Sequence, residues 1–518
     1  MNRREFVTGA VAVPLLASAA QAQAPADPAS APAPSPAPPP DLYADGAPFS
    51  REALEEHARL LSTRAYEAPA STLPNSFAEL PRDVFSTIRM IPDRALWLND
   101  NRGFALNVLP GGFIYRSPMR IATVEDDRVR MLPEDSSWFD FGRAPKPPAD
   151  KPFPFSGFTA RSALDKPDEF REFATFQGAT IYRALARGQI FGTSSRGLAV
   201  DTGEPDGEEF PLFRAFWIER PAAGSGNLVV HALLDSRRLT GAYRFTLRPG
   251  EITVVDVELT LFPRETLNHV GVGPMTSMFL FGPNDRAGVD DIRGQVHRAD
   301  GLQIWNGAGE WIWRPLSNPS DLQISVFTDE NPKGFGLLQR ERSFAAYNDL
   351  GRRYDRMPSA WIEPIGDWGK GQLQLLEIPT DTDINENIVA YWRPKEPLAA
   401  GQRLSMAYRM NWCWTPPDRS TGAIVAATVT GAAGGRRRRF VVDFAGDAVA
   451  DPARQIRANV TTSVGQIREP VGRPNPELKG YRVTFDLDPG DEELCELRMA
   501  LEADGGPISE TWLYRWTP

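Results

Sequence analysis

NLVVHALLDSRRLTGAYRFTLRPGEITVVDVELTLF, residues 227–262, contains three runs rich in β-branched and aromatic residues, separated by short turns. Val, Ile, Thr, Tyr and Phe at this density favour strands, and the intervening Asp, Ser, Pro and Gly favour a change of chain direction. The last run, EITVVDVELTLF, alternates apolar with polar residues, as a half-buried strand does. The stretch therefore predicts three consecutive strands.

The same composition recurs along the chain, and it predicts an all-β protein. Further strand-like runs are FRAFWIER (213–220), RLSMAYRMNWCW (403–414), RRRRFVVDF (436–444) and YRVTFDLD (481–488). With 518 residues, 43 Gly and 47 Pro, the chain has many turns and is too long for one ordinary domain. One amphipathic helix is expected near the start, because Leu54, Ala58 and Leu61 follow the capping residue Ser50 at helical spacing.

A polar segment containing Pro and Gly, between Pro394 and Gly401, is the expected domain boundary. It predicts a large β-domain over residues 49–394 and a smaller one over residues 401–518, about the size of an immunoglobulin-like sandwich. Cys413 and Cys495 both fall in the smaller domain. A disulfide and two separate apolar thiols both remain open for them.

The first residues have the parts of an export signal. Arg3 and Arg4 precede an apolar stretch and a small-residue cleavage site, Ala20-Gln21-Ala22, which is typical of a twin-arginine signal peptide over residues 1–22. The apolar stretch is too short to span a bilayer. Residues 23–48 are rich in Pro and Ala and are expected to form a disordered tether. The sequence thus predicts a periplasmic protein that does not span the membrane.

Charge and histidine spacing argue against two classes of function. The formal net charge of −10 disfavours nucleic acid as a partner. The run Arg436 to Arg439 has two interpretations, a solvated hairpin and a polyanion patch. The four histidines show no spacing typical of metal ligands, so we expect no zinc site. No phosphate-binding glycine loop with Lys-Ser/Thr occurs either, and no cofactor is expected. GTSSRG (192–197) lacks the spacing of a nucleophile elbow and is interpreted as a polar loop.

Between His297 and Trp392 the chain places six of its thirteen tryptophans among acids, arginines and glycines. A pyranose ring has an apolar C–H face and a rim of hydroxyls, which proteins hold with aromatic platforms and polar side chains. Trp is also a common core residue in β-domains, and that alternative stays open for each ring.

Several strings in this block carry a family resemblance. They are GEWIWRPL (309–316), ENP (330–332), GFGLLQR (334–340) and NIVAYW (387–392), with supporting stretches at residues 77–97, 188–221 and 509–516. In order and spacing they resemble the MdoG/OpgG/OpgD family of periplasmic glucan biosynthesis proteins, over almost the whole mature chain. The resemblance implies a galactose-mutarotase-like β-sandwich followed by an immunoglobulin-like domain. It also implies a β-glucan ligand, with the membrane glucan synthase and a second copy of the chain as candidate protein partners.

The resemblance also implies where carboxylate chemistry on β-1,2-glucan would take place. Members that cleave or transfer the glucan carry an Asp acid before the NIVAYW string and a second Asp after the His of a string resembling HRADGL (297–302). Here Glu386 stands at the acid position and Arg298 at the base position. Glu retains a transferable proton, but Arg cannot act as a base. Asp300 is the candidate replacement base, with a turn-forming role for Asp-Gly as the alternative.

The remaining candidates are sugar-binding residues. Tyr354 matches a family tyrosine associated with proton transfer and sugar binding, and a buried ring with a satisfied hydroxyl is the alternative. Asp367 is either a hydroxyl acceptor or the cap of a glycine turn. The other expected cleft residues are Trp305, Glu310, Trp313, Arg314, Arg340, Trp361, Glu363 and Trp368.

Two functions from different classes follow. The first is an inverting glucan hydrolase or transglycosylase that uses Glu386 and Asp300. The second is a noncatalytic glucan-binding protein that guides the nascent chain beside its synthase. The acid/base pair discriminates between them, and Arg298 weakens the case for the enzyme.

Overall fold

A computed structural model describes residues 41–417 and 422–518. The expected signal peptide, and the tether as far as residue 40, lie outside the described residues. Helices are short and are α1 (Arg51–Ser62), α2 (Asn75–Ala78), α3 (Arg82–Phe85), α4 (Phe344–Tyr347) and α5 (Asp447–Ala450). As expected, α1 is capped by Ser50, whose Oγ accepts from the Ala53 N–H at 3.1 Å, and it buries Leu54 and Ala58. None of the helices in the described ranges is long and apolar enough to cross a membrane.

Strands make up most of the regular structure. The first third contains β1 (Arg89–Met90), β2 (Phe104–Pro110), β3 (Arg120–Glu125), β4 (Arg128–Met131), β5 (Phe139–Asp140), β6 (Phe155–Lys166), β7 (Glu169–Gln177), β8 (Ile181–Ala184), β9 (Ser194–Arg196) and β10 (Ala199–Val200). The middle contains β11 (Leu212–Glu219), β12 (Leu228–Asp235), β13 (Leu239–Arg248), β14 (Thr253–Pro263), β15 (Val270–Ser277), β16 (Phe279–Phe281), β17 (Val296–His297), β18 (Gly301–Trp305), β19 (Trp311–Pro315), β20 (Gln323–Glu330) and β21 (Gly334–Leu338). The last part contains β22 (Ser359–Ile365), β23 (Lys370–Glu377), β24 (Ile388–Pro394), β25 (Leu404–Cys413), β26 (Ile424–Ala432), β27 (Arg438–Ala445), β28 (Arg457–Thr462), β29 (Gln466–Asn475), β30 (Gly480–Asp488), β31 (Cys495–Ala503), β32 (Gly506–Pro507) and β33 (Thr511–Trp516).

The larger of the main sheets has the order β28-β31-β33-β19-β18-β21-β22-β25-β14-β13-β12-β11-β3-β4. The three strands predicted from residues 227–262 are β12, β13 and β14, which pair antiparallel in succession, so that prediction is confirmed. Alternation along β14 buries Val255 and Val257 and leaves Asp256 and Glu258 on the other face. At β14 this sheet therefore has one face toward the main core and one face away from it.

The second main sheet has the order β2-β6-β7-β8-β9-β15-β24-β23-β20, and it packs on the first to form a sandwich. Met275 and Trp392 from this sheet share one hydrophobic core with Val257 and Met410 from the larger one. In a β-sandwich the core is formed by side chains from the inner faces of two packed sheets. The prediction of an all-β fold with a large sandwich is confirmed.

A smaller core lies toward the C-terminus. The sheet β26-β27-β30-β29 contributes Phe440 and Phe485, and the end of the larger sheet contributes Leu497 and Trp512. This end is joined to the rest because β33 pairs parallel with β19, with Trp512 opposite Trp313. An immunoglobulin-like character for this part stays a prediction.

The strand pairing bears on the expected boundary at Pro394 to Gly401. Strand β25, which follows that segment, pairs with β14 on one side and β22 on the other. Its Tyr408, Met410 and Trp412 belong to the main core. The division into two domains stays a prediction, and these contacts favour a boundary after Cys413. Residues 395–403 connect β24, in one sheet of the sandwich, to β25 in the other.

Candidate functional site

The loop before β24 carries Glu386, and the next residue fixes the loop. The Asn387 side chain accepts from the Phe279 N–H at 2.9 Å and donates to the carbonyls of Phe279 and Ile378, both at 3.0 Å. These bonds tie the loop to β16 and to the end of β23. Because a buried amide with all three partners holds one orientation, the backbone at Glu386 is held in place.

Glu386 lies beside the residue at the expected base position. Its Oε1 accepts from Nη1 of Arg298 at 3.1 Å, and its Oε2 accepts from the hydroxyls of Ser194 and Thr276 at 3.0 and 2.8 Å. The side chains of Glu386 and Arg298 are 28% and 18% exposed, so the pair is partly open to solvent. A guanidinium can only donate, so Oε1 is held as an acceptor.

The two hydroxyls place this centre on the outer face of the second sheet. Ser194 in β9 is opposite Thr276 in β15. Met275, the neighbour of Thr276, points into the core, so the alternation of a strand puts Thr276 on the other face. The prediction of a polar loop at residues 192–197 is wrong in part, because Ser194–Arg196 form β9. We name Glu386, Arg298, Ser194 and Thr276 the Glu386 centre.

Asp300 is committed to the backbone. Its Oδ2 accepts from the backbone N–H groups of Arg340 and Glu341 at 3.0 and 3.1 Å. Its Oδ1 is buried and has no hydrogen-bond partner among the described residues. Burial raises the pKa of the Asp300 carboxyl, against the lowering by Arg340 and the two amides. A carboxylate in this setting organises the chain after β21 and does not face water, as a base must.

Tyr354 contacts Asp383, which lies three residues before Glu386 in the same loop. Its hydroxyl donates to Oδ2 of Asp383 at 3.0 Å, and Arg293 donates to the same oxygen at 3.0 Å. Burial raises the pKa of Tyr354, and the neighbouring Asp383 raises it further. Burial alone would raise the pKa of Asp383, but the hydrogen bonds from Arg293 and Tyr354 lower it overall. Sequence reasoning missed Asp383, although its position in the same loop as Glu386 was an available signal.

His297 precedes Arg298 and is buried. Its Nδ1 lies 2.8 Å from Oε1 of Gln339, and its ring stacks on Phe279. Gln339 Nε2 donates to the carbonyls of His297 and Tyr354, both at 3.1 Å, which leaves Oε1 to accept from the ring. Burial lowers the pKa of His297 to about 4. The ring is therefore neutral near pH 7, and Gln339 links the backbone of His297 to that of Tyr354.

The tryptophans are not gathered around Glu386. Trp311 stacks on Trp305, with ring centroids 4.8 Å apart, and on Trp361, at 5.8 Å. Trp305 is half-buried, whereas Trp311 and Trp361 are buried. Trp305 is the last residue of β18, whereas Arg298 lies three residues before its first residue, Gly301, and the strand between them is roughly 13 Å long. Trp368 is core, since its Nε1 donates to Ala407 O at 3.1 Å and its ring packs in the main cluster.

Two of the expected cleft arginines form buried ion pairs. Arg314 donates to Oε2 of Glu377 at 3.0 Å, and both side chains are buried. Arg340 makes two bonds to the Glu510 carboxylate, at 2.6 and 3.0 Å, and its guanidinium lies 3.5 Å from the Trp313 ring centroid. Trp313 is buried as well. These three residues hold strands together and do not present groups to a ligand.

The last three candidates lie outside the Glu386 centre. Glu310 accepts from the Thr511 hydroxyl at 2.7 Å and pairs with Arg498. Asp367 accepts from the Gly369 N–H at 2.8 Å, which is the turn-capping alternative. Glu363 accepts from Asn411 Nδ2 at 3.3 Å and is half-buried. Within residues 41–417 and 422–518 no group of three or more His, Cys, Asp and Glu side chains is placed to hold a metal ion.

The chain is similar to known proteins over most of its length. The family model described as "Periplasmic glucan biosynthesis protein, MdoG" matches residues 49–516. A "Glucans biosynthesis protein G" of Rhodopseudomonas palustris is 46% identical over 523 residues, covering 100% of both chains. A protein of the same name from Vibrio cholerae is 43% identical over 482 residues, covering 92% of this chain and 88% of the relative.

One solved structure among those compared is a galactose mutarotase related enzyme from Lactobacillus acidophilus. It is 10% identical and covers 51% of this chain and 93% of its own, with a TM-score of 0.22. At that score the likeness is too slight to bear on fold or function.

Proposed function

The chain belongs to the family of periplasmic glucan biosynthesis proteins, and from this premise we propose that it serves that biosynthesis by binding a β-glucan without cleaving it. Its relatives are named for glucan biosynthesis, which supports the same broad role here. The finer statement, binding without chemistry, depends on the Glu386 centre. A β-1,2-linked backbone is the glucan that the sequence resemblance suggests.

The contact between Arg298 and Glu386 is the observation that carries the proposal. Inverting hydrolysis needs an acid that protonates the leaving oxygen and a base that activates water on the opposite face of the sugar. Here one oxygen of Glu386 accepts from Arg298, and the other accepts from two hydroxyls. Arg298 cannot become a base, and the Asp300 carboxylate is taken up by two amides. The centre is therefore better suited to gripping sugar hydroxyls than to transferring protons.

A hydrolase or transglycosylase is the second candidate, and one observation favours it. Asp383 lies in the same loop as Glu386, with the Tyr354 hydroxyl at 3.0 Å from its Oδ2. A second carboxylate near a candidate acid is the arrangement that glycoside cleavage requires. In that case Glu386 would carry the leaving-group proton and Asp383 would replace Asp300 as the base.

Product analysis separates the two candidates. Purified protein is incubated with linear β-1,2-glucan, and the mixture is sized by chromatography and examined for anomers by NMR. We expect a measurable dissociation constant and an unchanged size distribution. Turnover that disappears in Glu386→Gln, with affinity retained, would establish the enzyme instead, because the amide keeps the shape but cannot donate an acid proton.

A charge-reversal series tests the role assigned to Arg298. If Arg298 suppresses cleavage, Arg298→Asp should create slow turnover, whereas Arg298→Lys should remain inactive and keep most of the affinity. Arg437→Asp is the matched control, because Arg437 is exposed on the turn before β27 and the change in charge is the same. Equal affinity for glucan in wild type, Arg298→Asp and the control would mean that Arg298 has no part in binding.

We also propose export to the periplasm through the twin-arginine signal. The proposal rests on Arg3 and Arg4 and on the family to which the chain belongs. Replacing both arginines by lysine should hold the precursor in the cytoplasm, as measured by fractionation and immunoblotting. Undiminished periplasmic protein in the double variant would contradict it.

A further inference from the structure

The three stacked tryptophans, Trp305, Trp311 and Trp361, form a tryptophan stack on the face of the larger sheet that points away from the main core. Trp311 and Trp361 belong to the C-terminal core, and Trp305 packs against it. Ile304 and Ile362, the neighbours of Trp305 and Trp361 in their strands, point into the main core. Alternation therefore puts both tryptophans on the opposite face. The Glu386 centre lies on the outer face of the other sheet, so the thickness of the sandwich separates the two places by roughly 10 Å or more.

The local sequence builds the stack through glycines opposite the rings. Gly334, in β21, pairs with Trp305, and a Cβ atom there would lie 2.3 Å from the Trp361 ring. A side chain at this position would push that ring off its neighbour. Trp311 and Trp361 are buried, so they act as a rigid support for Trp305, the half-buried member. An aromatic ring with a fixed support loses little conformational entropy when a ligand stacks on it.

A cavity of about 510 Å³ opens beside the stack. This volume is within the range of small-ligand sites, roughly 300–1,000 Å³. Its walls come from strands β14, β22 and β25, the end of β18, and Lys333 just before β21. Its side chains include Trp305, Lys333, Trp361, Glu363, Arg409 and Asn411.

The polar groups of this cavity suit hydroxyls better than a charged ligand. Arg409 is already engaged with Asp256, at 2.7 and 3.2 Å. Glu363 accepts from Asn411 Nδ2 at 3.3 Å and also interacts with the Trp361 side chain, and a carboxylate has about four acceptor positions, so positions remain open. Partial burial raises the pKa of Glu363 and outweighs the lowering by Arg409, Trp361 and Asn411. Donors and acceptors of balanced charge beside an aromatic ring are typical of neutral saccharide sites.

We propose that the cavity beside the tryptophan stack is a second glucan-binding site, separate from the Glu386 centre. It would take a short segment of neutral glucan, with a pyranose face on Trp305 and hydroxyls on Glu363 and Asn411. The proposal rests on the proposed function, since it assumes the same ligand. In this proposal the tryptophans do not all line one cleft, which was the simplest expectation from the sequence.

Lys333 covers part of the Trp305 ring. Its Nζ lies 5.3 Å from the centroid of Trp305, and its side chain is exposed. One face of Trp305 is taken by Trp311, so a sugar must stack on the face that Lys333 occupies. A surface cation over an indole contributes only about 0.5–1 kcal/mol, so the lysine can move aside at small cost. Its ammonium can then donate to a sugar hydroxyl.

The test is a calorimetric titration of long linear β-1,2-glucan, able to reach both sites, into wild type and three variants. Trp305→Ala should bind roughly 5- to 150-fold more weakly, the range expected for an aromatic anchor. Glu363→Gln, which keeps the shape, should bind on the order of tenfold more weakly. Phe210→Ala is the control, because Phe210 is 56% exposed and lines neither site. It should bind as wild type does.

The outcomes separate this proposal from the proposed function. If wild type binds and Trp305→Ala and Glu363→Gln bind equally well, the second site is overturned and the proposed function stands. If wild type does not bind the glucan, both are overturned. Near-ultraviolet circular dichroism checks the fold of Trp305→Ala. Because Glu363→Gln is a mild substitution, it keeps the test decisive should Trp305→Ala misfold.

Discussion

Replacement of Arg340 by methionine should destabilise the protein without changing its affinity for glucan. The sequence made Arg340 a sugar-binding candidate, but the structure buries it against Glu510, with side chains 8% and 0% exposed. Nη1 contacts Oε1 at 2.6 Å and Nη2 contacts Oε2 at 3.0 Å, and Nη1 also donates to Val425 O at 2.8 Å. Methionine fills similar space but leaves the Glu510 carboxylate without its counter-ion.

The expected loss follows from these contacts. Removing one partner of a buried ion pair costs about 3–5 kcal/mol, because an uncompensated charge stays buried. The guanidinium also lies 3.5 Å from the Trp313 centroid, and a desolvated cation–π contact adds about 1–2 kcal/mol. Glu510 keeps hydrogen bonds from Val425 N at 2.6 Å and Gln303 Nε2 at 3.2 Å, which limit the loss. We expect a decrease of about 4 kcal/mol in the free energy of unfolding.

Urea denaturation followed by circular dichroism measures this change. The control is Arg59→Met, which removes a largely exposed pair with Glu56 and should leave the free energy of unfolding nearly unchanged, because solvent screens exposed pairs. In the double variant Arg340→Met with Glu510→Gln, part of the stability should return, because the stranded charge is gone. A loss no larger than the control's, or a weakened affinity for glucan in a variant of normal stability, would refute a structural role for Arg340.

Two further predictions concern pH, and one concerns packing. His297 has its pKa lowered from 6.5 to about 4, so its contribution to stability is complete above pH 6.5 and is lost as pH falls toward 4, by about 3 kcal/mol. His297→Asn should lack this slope in pH-dependent urea unfolding, and an unchanged slope would contradict the assignment. The pKa of Asp300 is raised in the folded protein, so folding favours the protonated carboxyl. Wild type should therefore lose stability relative to Asp300→Asn as pH rises above 3.8. Urea unfolding at the same pH values measures this difference. Stability curves that run parallel for wild type and Asp300→Asn would contradict the prediction. Gly334→Ala should lower the free energy of unfolding by about 1–3 kcal/mol and change the near-ultraviolet circular dichroism, because it displaces the Trp361 ring. The exposed control Gly226→Ala should change neither.

Strand identity could be predicted from the sequence where one face of a strand is covered and the other is not. Strand β14 alternates buried Val255 and Val257 with Asp256 and Glu258, and its sequence carries that period directly. The pattern fails where both faces are buried. In Trp311–Pro315 all five residues are buried, because the main core covers one face and the C-terminal core covers the other. Periodicity could therefore not decide whether Trp313 belonged to a cleft or to a core.

The segment from Pro394 to Gly401 shows a second limit. Pro, Gly and polar residues mark any place where the chain leaves a strand, so a crossover and a domain linker have the same composition. The difference lies in what the next strand pairs with, and β25 pairs with β14 and β22, which are far away in sequence.

The sequence could predict the central residues of the candidate site but not the residues that contact them. The family resemblance singled out Glu386 and Arg298, which the structure places 3.1 Å apart. Ser194, 192 residues before Glu386, carried no sequence signal for a role there, because its contact depends on the pairing of β9 with β15. Arg293 and Asp383 are 90 residues apart and meet only through the fold.

The position of the two proposed sites has a consequence for ligand length. They lie on the outer faces of different sheets, so a short oligosaccharide can occupy only one of them at a time. A chain long enough to pass around the edge of the sandwich can occupy both, and its second contact then forms at a high effective concentration. Affinity should therefore rise with chain length in wild type. In Trp305→Ala the rise should be lost, while the affinity for short oligosaccharides at the Glu386 centre should persist. A length dependence that is the same in both proteins would place long and short glucans in one site.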